Sequence, residues 1–137
     1  ENCKSQVLRH AIKNKFMAQY KNFKDLKVWH KAMDLSVAVY DMSKKFPKEE
    51  MFSLTNQIRR AVVSIPSNIA EGHGRNTEAD TKQFYYIANG SLAEVQIQLE
   101  LAVRLGYITQ EQAFDTIGLI YEVRKMLWSL IHNIQSL

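Results

Sequence analysis

Apolar residues recur every three or four positions from Leu26 to Ile134, and this spacing constrains the fold more than any other feature of the chain. The period matches the 3.6 residues of an α-helical turn, whereas a half-buried β-strand would require strict alternation of apolar and polar residues. Proline and glycine residues divide the pattern into four segments. The sequence therefore predicts an all-α protein.

The first predicted helix spans residues 26–46. Asp25 is placed to cap its N-terminus, and Pro47 follows its end because proline disfavours helical geometry in the residue before it. The apolar residues at steps of three and four predict an inner stripe of Leu26, Trp29, Met33, Val37 and Tyr40.

The second predicted helix spans about residues 53–71 and contains a proline. Pro66 has no N–H to donate to the Val62 carbonyl, so the helix either kinks there or restarts at that point. Gly72 and Gly74 mark its end. Its predicted inner stripe is Leu54, Ile58, Val62, Ile65 and Ile69.

Threonines open the third and fourth predicted helices. Thr77 is an N-cap with Asp80 at the third helical position, and Gly106 ends this third helix. Thr109 and Gln112 form a capping box, in which each side chain satisfies the backbone N–H of the other residue. The fourth helix then continues to about residue 135. The two inner stripes are Phe84, Ala88, Leu92, Val95, Leu99 and Ala102, and Ala113, Ile117, Ile120, Leu127, Ile131 and Ile134.

Four amphipathic helices with short connections pack most simply as an antiparallel up-and-down four-helix bundle, here with a Pro-kinked second helix. Three of the helices also carry a second apolar line. A monomeric bundle needs one inward stripe per helix, so the extra lines predict a homo-oligomer; the alternative is that the inward faces are wide. These lines are Val28, Leu35, Val39 and Met42; Tyr86, Ala93, Ile97 and Leu101; and Phe114, Tyr121 and Trp128.

Basic residues concentrate at the N-terminus. Residues 1–31 hold eight basic and two acidic side chains, whereas the rest of the chain holds ten basic and twelve acidic ones. We predict a basic N-terminal extension over residues 1–22 and a bundle domain over 23–137. Leu8, Ile12 and Phe16 are spaced as in a short amphipathic helix, which would rest on the bundle, a partner or an anionic surface. Alternatively, the native protein starts at Met17, and residues 1–16 are an extension outside it.

The sequence contains no recognisable catalytic or metal-binding constellation, and we predict a protein that is not an enzyme and needs no metal or cofactor. No glutamate has a histidine three residues further on, which di-iron bundles require. The four histidines are dispersed, and the lone Cys3 has no histidine placed to activate it. No apolar run approaches the about 18 residues of a membrane span, so we predict a soluble, cytoplasmic protein without a membrane partner.

A set of polar residues lies along the second predicted helix and in the loop after it. Arginine guanidinium groups suit phosphate oxygens, and serine and asparagine add hydrogen bonds, so the set predicts a nucleic-acid strip. The alternative is a structural role, in which Arg60 to Glu71 belong to an interhelical salt-bridge network while serine and asparagine satisfy carbonyls freed by Pro66. The set comprises Arg59, Arg60, Ser64, Ser67, Asn68, Glu71 and Arg75.

Several motifs between Phe23 and Ile108 resemble one known family. They are FKDLKVW at 23–29, QIRRA at 57–61, SIPSNIAEG at 64–72, GR at 74–75 and ANGSLAE at 88–94. The chain is similar, through these motifs, to the four-helix-bundle proteins encoded in 23S rRNA intervening sequences. Residues 1–22 fall outside the resemblance.

The resemblance implies a closed ring of four-helix protomers, commonly a homopentamer. It also implies kinship with the accessory variability determinants of diversity-generating retroelements, which bind nucleic acid through basic surface and work with a reverse transcriptase. Carried across to this chain, the basic positions are Arg59, Arg60 and Arg75, to which the sequence adds Lys24, Lys27 and Lys31. The positions expected to be structural are Trp29, Pro66, Asn68, Glu71, Gly72 and Gly90.

Two hypotheses about function follow. The first is an oligomeric bacterial accessory protein that binds the backbone of RNA or DNA. Under this hypothesis the protein also has a reverse transcriptase as a candidate partner. The second is a ring-shaped protein-interaction scaffold that does not bind nucleic acid.

Overall fold

The computed structural model describes residues 2–135, with side chains for residues 2–13 and 23–134. These described residues form five α-helices and no β-strand, which confirms the predicted all-α class. A 3₁₀ helix also connects the second and third α-helices. The elements are α1 (Cys3–Lys24), α2 (Lys27–Ser43), the 3₁₀ helix (Lys48–Glu50), α3 (Leu54–His73), α4 (Glu78–Arg104) and α5 (Gln110–Gln135).

Helices α2 to α5 contact one another in a cycle. α2 contacts α3 and α5, and α4 contacts the same two helices. Late residues of α2 lie beside early residues of α3, since Arg59 donates to Ser43 while the earlier Ser36 donates to the later Val62. α1 contacts α2 and α3, and its apolar residues Val7, Leu8 and Ile12 are exposed. Phe16, the third residue of the predicted amphipathic stripe with Leu8 and Ile12, lies outside the described side chains.

The core is one cluster formed by the inner faces of α2 to α5, and the sequence predicts most of it on three of these helices. The α3 stripe from Leu54 to Ile69 is buried throughout. On α4 and α5 most predicted positions are buried, and Phe84, Ile117 and Ile134 are half-buried. The 3.6-residue period therefore located the core on these helices.

On α2 the predicted inner stripe is wrong at three of its five positions. Met33, Val37 and Tyr40 are exposed, Leu26 and Trp29 are half-buried against the core, and the predicted second line points into the core. Both lines have helical spacing, so periodicity alone does not decide which of them faces the other helices. The buried line includes Ala32, whose small side chain allows close packing, and consists of Val28, Ala32, Leu35, Val39 and Met42.

Tyr85 of α4 is a core residue that the sequence pattern missed. Its side chain is only 2% exposed, and burial raises the pKa of its phenol because the charged form would lose its hydration. The predicted neighbour Phe84 is half-buried instead. Phe84 and Tyr85 are adjacent aromatic residues that both fit the predicted stripe, and the rotation of α4 about its axis buries Tyr85.

The predicted threonine caps are confirmed, and the predicted aspartate cap is wrong. The Asp80 N–H donates to Thr77 Oγ1 at 3.2 Å. Thr109 and Gln112 exchange the two bonds of a capping box at 2.9 and 3.1 Å. At the start of α2 the N-cap residue is Leu26, with no side-chain cap bond, because the chain turns directly out of α1 through a bond from the Leu26 N–H to the Phe23 carbonyl. Asp25 therefore precedes the cap position.

Helix α3 is assigned without interruption across Pro66. The Val62 carbonyl, which Pro66 cannot serve, accepts a hydrogen bond at 3.3 Å from the buried Ser36 hydroxyl of α2. The same hydroxyl donates to the Ala32 carbonyl at 2.8 Å. A neighbouring helix thus supplies the hydrogen bond that Pro66 cannot donate to the Val62 carbonyl. The kink of α3 at Pro66 stays a prediction.

Candidate nucleic-acid interface

A shallow groove of about 440 Å³ brings two of the predicted basic residues together at the outer surface of α2 and α3. Arginine, serine, asparagine and tyrosine side chains line it, and all of these can donate hydrogen bonds to an anion. Its lining consists of Tyr40, Asn56, Arg59, Arg60, Val63, Ser64 and Ser67. We call it the Arg59–Arg60 groove.

Arg59 is held in place by two residues of α2. Its Nε–H donates to Ser43 Oγ at 2.8 Å, and its guanidinium carbon lies 4.9 Å from the centre of the Tyr40 ring. The Ser43 hydroxyl in turn donates to the Tyr40 carbonyl at 3.0 Å. A guanidinium carries five N–H donors, so these contacts fix the group and leave its terminal nitrogens to bind an anion.

Arg60 follows Arg59 by about 100° around α3, and therefore points away from α2. Its side chain is exposed. Among the described residues it has no ion pair or hydrogen bond, and it lines the groove beside Arg59.

Ser64, Ser67 and Asn68 bond mainly within the helices. The Ser67 hydroxyl donates to the Val63 carbonyl at 2.8 Å, and the Asn68 amide donates to the Ser64 carbonyl at 2.7 Å. Ser64 Oγ forms a short hydrogen bond with Ser91 Oγ of α4. These bonds are structural, as in the alternative interpretation, but none of them serves the Val62 carbonyl that Pro66 frees, which accepts from Ser36 instead.

The interhelical salt-bridge network predicted from Arg60 to Glu71 is not seen among the described residues. Glu71 Oε1 instead pairs with Arg75 at 2.8 Å, one helical turn further on. The Arg75 guanidinium also lies 4.5 Å from the centre of the Phe84 ring of α4. Arg60 and Glu71 are eleven positions apart, or about 16 Å along a helix, which is beyond the reach of a direct ion pair.

The six predicted basic residues therefore do not form one strip. Arg75 lies at the far end of α3 from the groove. Lys31 pairs with Glu122 of α5 at 3.1 Å, and Lys27 lines a separate groove between α2 and α5. Lys24 ends α1, where its carbonyl accepts a hydrogen bond from the His30 ring.

The predicted structural residues differ in their roles. Trp29 is half-buried, with its ring edge-to-face against Phe23 and His30 at 5.0 and 5.1 Å between centres. A Cβ atom at Gly72 would lie 2.9 Å from Phe84 Cβ, so only glycine allows α3 to approach α4 this closely. Gly90 is exposed, with open space where a Cβ would be, so its predicted structural role finds no packing reason.

Gly74, not Gly72, is the residue that follows α3. It is the C-cap, and its N–H bonds to the Ala70 and Glu71 carbonyls. Its φ of −87° needs no glycine, whereas Gly106 after α4 has a φ of +77°, which favours glycine.

The described residues include no group of three histidine, cysteine or carboxylate side chains arranged to hold a metal ion. Within the same residues, no helix combines the length and the apolar character that crossing a membrane requires.

A model of the 23S rRNA-intervening sequence protein family matches residues 24–129. The chain belongs to this family. The matched range holds thirteen basic and thirteen acidic side chains, so the net positive charge of the chain comes from residues outside it. It includes the whole Arg59–Arg60 groove.

One solved structure supports the same membership. It is the 1.70 Å crystal structure of a protein of unknown function from the S23 ribosomal protein family of Bacteroides thetaiotaomicron. That protein is 30% identical to this chain and matches it with a TM-score of 0.71, over 76% of this chain and 97% of its own. No curated protein matches the chain.

The sequence pattern does not predict the two residues that fix Arg59. The pattern places Tyr40 in the core, and it gives Ser43 no role. Tyr40 and Ser43 are three positions apart and therefore share a face of α2, but that signal has meaning only when the rotation of α2 against α3 is known.

Proposed function

We propose that this protein is a non-catalytic, oligomeric accessory protein that binds the phosphate backbone of RNA or DNA at the Arg59–Arg60 groove. The observation that supports the proposal best is the fixed guanidinium of Arg59, held by Ser43 and Tyr40 beside the exposed Arg60. Two adjacent guanidinium groups offer bidentate hydrogen bonds to phosphate oxygens. No sequence preference is proposed, because backbone contacts position a nucleic acid without reading its bases.

The proposed protomer is the antiparallel up-and-down four-helix bundle with a Pro-kinked second helix. The contact cycle of α2 to α5 supports it. The same proposal includes four features that the family resemblance suggests. They are a ring, most commonly of five copies, a reverse transcriptase partner, a role in a retroelement and a cytoplasmic location. The family description adds 23S rRNA as an RNA to test.

Salt-dependent binding tests the proposal. Fluorescence anisotropy of labelled duplex DNA and of labelled single-stranded RNA would be measured at several salt concentrations. For duplex DNA, the logarithm of the binding constant should fall with the logarithm of the salt concentration, with a slope of about −0.9 per phosphate contacted. Absence of binding even at low salt would contradict the proposal.

A charge-matched pair of variants locates the binding surface. Arg60→Gln removes one positive charge in the groove, and Arg104→Gln removes one from the exposed C-terminal end of α4. We expect Arg60→Gln to weaken binding and to reduce the magnitude of the duplex slope by about 0.9 for each contacting protomer. Equal effects of the two variants would show that overall charge, not the groove, attracts the nucleic acid.

A scaffold that does not bind nucleic acid is the second candidate. The balanced charge of the family-matched range favours it, because strong backbone binding requires an excess of basic side chains. The exposed apolar lines on three helices also favour protein contacts. This candidate predicts an oligomer that shows no salt-dependent binding in the anisotropy experiment.

A further inference from the structure

A second groove lies between the start of α2 and the second half of α5. Its volume is about 430 Å³, and one side of α5 lines it from Glu122 to Leu130. It shares no lining residue with the Arg59–Arg60 groove. Pockets that bind small molecules have volumes of about 300–1,000 Å³, so this groove has the size of a small-ligand site. We call it the α2–α5 groove.

The floor of the α2–α5 groove is aliphatic. Val28 is buried, and Leu26, Met126 and Leu130 are half-buried against the core. Among the described residues, no aromatic side chain lines the groove, although aromatic rings are the usual partners of flat ligands such as nucleobases. Alkyl side chains suit an alkyl ligand, and the flexible methionine adapts to its shape. The floor therefore favours an aliphatic chain over a planar ring.

The rim of the groove is positively charged. Lys27 and Lys125 are exposed there, and neither has an ion pair among the described residues. Glu122 also lines the groove, but it is paired with Lys31 at 3.1 Å, so its charge is compensated. Ammonium groups donate charge-assisted hydrogen bonds to carboxylates, and the Ser129 hydroxyl adds a further donor. A ligand with a negatively charged head complements this rim.

We infer that the α2–α5 groove binds a medium-chain free fatty acid, with the alkyl chain on the floor and the carboxylate at Lys27 and Lys125. From Glu122 to Leu130 the groove follows α5 for about 12 Å, at 1.5 Å per residue. An extended chain advances about 1.2 Å per single bond, so about ten carbons reach from one end to the other. The inference goes beyond the proposed function and does not depend on nucleic-acid binding.

Calorimetric titration of the full chain with fatty acids of increasing length tests the inference. Hexanoate, octanoate, decanoate and dodecanoate would be used below the concentrations at which they form micelles. We expect one decanoate per chain, and an affinity that rises by up to about fourfold for each methylene that the groove buries. The rise should stop at about ten carbons, because further carbons extend beyond the groove.

A cationic ligand and two lysine variants test the position of the carboxylate. Decyltrimethylammonium has a ten-carbon chain and the opposite charge, and it should bind about fivefold or more weakly than decanoate. Lys27→Gln and Lys125→Gln should each weaken decanoate by up to about fivefold, the usual limit for an exposed ion pair. Lys45→Gln is the matched control, because Lys45 is also exposed but lies outside the groove. Circular dichroism of the three variants should show parent-like helicity.

Methionine methyl signals in NMR spectra test the position of the alkyl chain. Met126 lies in the floor of the groove, whereas Met51 is about half exposed and lies elsewhere on the surface. Met126→Leu and Met51→Leu conserve side-chain volume and remove one signal each, which assigns both signals. Decanoate should shift the Met126 signal and leave the Met51 signal in place.

Each other outcome overturns the inference. Absence of decanoate binding would show that the groove takes no fatty acid, and equal affinity for decyltrimethylammonium would show that the rim does not select an anion. If Lys45→Gln weakened binding as much as the two rim variants, or if the Met126 signal did not shift, the ligand would bind elsewhere. Arg60→Gln should bind decanoate like the parent, so failure of this inference and failure of nucleic-acid binding are distinguishable.

Discussion

Helices α3 and α4 pack against each other and both bury a regular apolar stripe, but they satisfy their backbones in different ways. α4 begins at its own cap, Thr77, and continues for 27 residues without a proline. α3 contains Pro66, and its N-cap residue Ser53 makes no side-chain cap bond. The hydrogen bonds that α3 lacks come from elsewhere, with Ser36 of α2 serving the Val62 carbonyl and Glu50 serving the Leu54 N–H.

The difference shows that an amphipathic pattern determines where a helix packs without determining how its backbone is satisfied. α3 depends on side chains from its neighbours, so its stability is coupled to theirs. α4 is closer to self-sufficient. Substitutions that test each helix separately would break or sharpen this contrast.

The same substitution at one glycine in each helix should have opposite effects. Gly72→Ala in α3 places a Cβ 2.9 Å from Phe84 Cβ and 3.1 Å from the Thr81 carbonyl oxygen. Such overpacking costs about 1–3 kcal/mol of the free energy of unfolding. Gly90→Ala in α4 meets open space and should stabilise the protein by about 0.5–1 kcal/mol, because alanine is the better helix former.

Urea denaturation of both variants would measure these changes. Each serves as the control for the other, since both add one methyl group to a helical glycine. Stabilisation by Gly72→Ala would show that α3 and α4 separate easily, and the close approach at Gly72 would lose its importance.

Ser36 and Pro66 should be coupled. Ser36→Ala leaves the buried Val62 carbonyl without a donor and should cost about 1 kcal/mol, at the low end of the usual range because the bond is long. Pro66→Ala supplies an N–H for that carbonyl, so Ser36→Ala should cost about 0.5 kcal/mol less in the Pro66→Ala background.

A double-mutant cycle measured by urea denaturation isolates this coupling. Ser67→Ala is the matched control, because the Val63 carbonyl that Ser67 bonds is also within reach of a helical N–H. Additive costs of Ser36→Ala and Pro66→Ala would mean that α3 tolerates its proline without help from α2.

The sequence predicted α2 to α5 and most of the core, but it offered only a short helix where the 22-residue α1 forms, and it did not predict the contacts between helices. The predicted stripe of α3 holds because this helix is predicted with a single apolar line. α2 has two competing lines, and only packing against α3 and α5 decides that Leu35 is buried and Val37 exposed. The Arg59 contact with Ser43 depends on the same rotation, which no spacing within one helix encodes.

The N-terminal caps of the two helices should differ in their contribution to stability. Thr77→Ala removes the acceptor of the Asp80 N–H and should cost about 1 kcal/mol. Ser53→Ala should cost less, since Ser53 caps no N–H of α3 and its exposed hydroxyl only donates to Glu50. Thermal unfolding would compare the two, and a larger loss for Ser53→Ala would reverse the contrast between the helices.

Acidification should weaken the start of α3 through Glu50. Hydrogen bonds from Ser53, the Leu54 N–H and the Tyr107 hydroxyl favour the charged carboxylate and lower the pKa of Glu50. The same contact raises the pKa of Tyr107, because the protonated phenol donates the hydrogen bond to the Glu50 carboxylate. A lowered pKa in the folded state stabilises the protein above the unfolded value of about 4.3, and this contribution is lost as the pH falls through the folded value.

Glu50→Gln should therefore lower the melting temperature at pH 7, and the difference from the parent should shrink as the pH falls below about 4.3. Glu49→Gln is the control, because it removes the same charge from the neighbouring exposed residue. Melting curves followed by circular dichroism between pH 3 and pH 7 give the comparison. If the difference between Glu50→Gln and the parent did not change with pH, the carboxylate charge would not stabilise α3. The contrast with α4 would then rest on Pro66 alone.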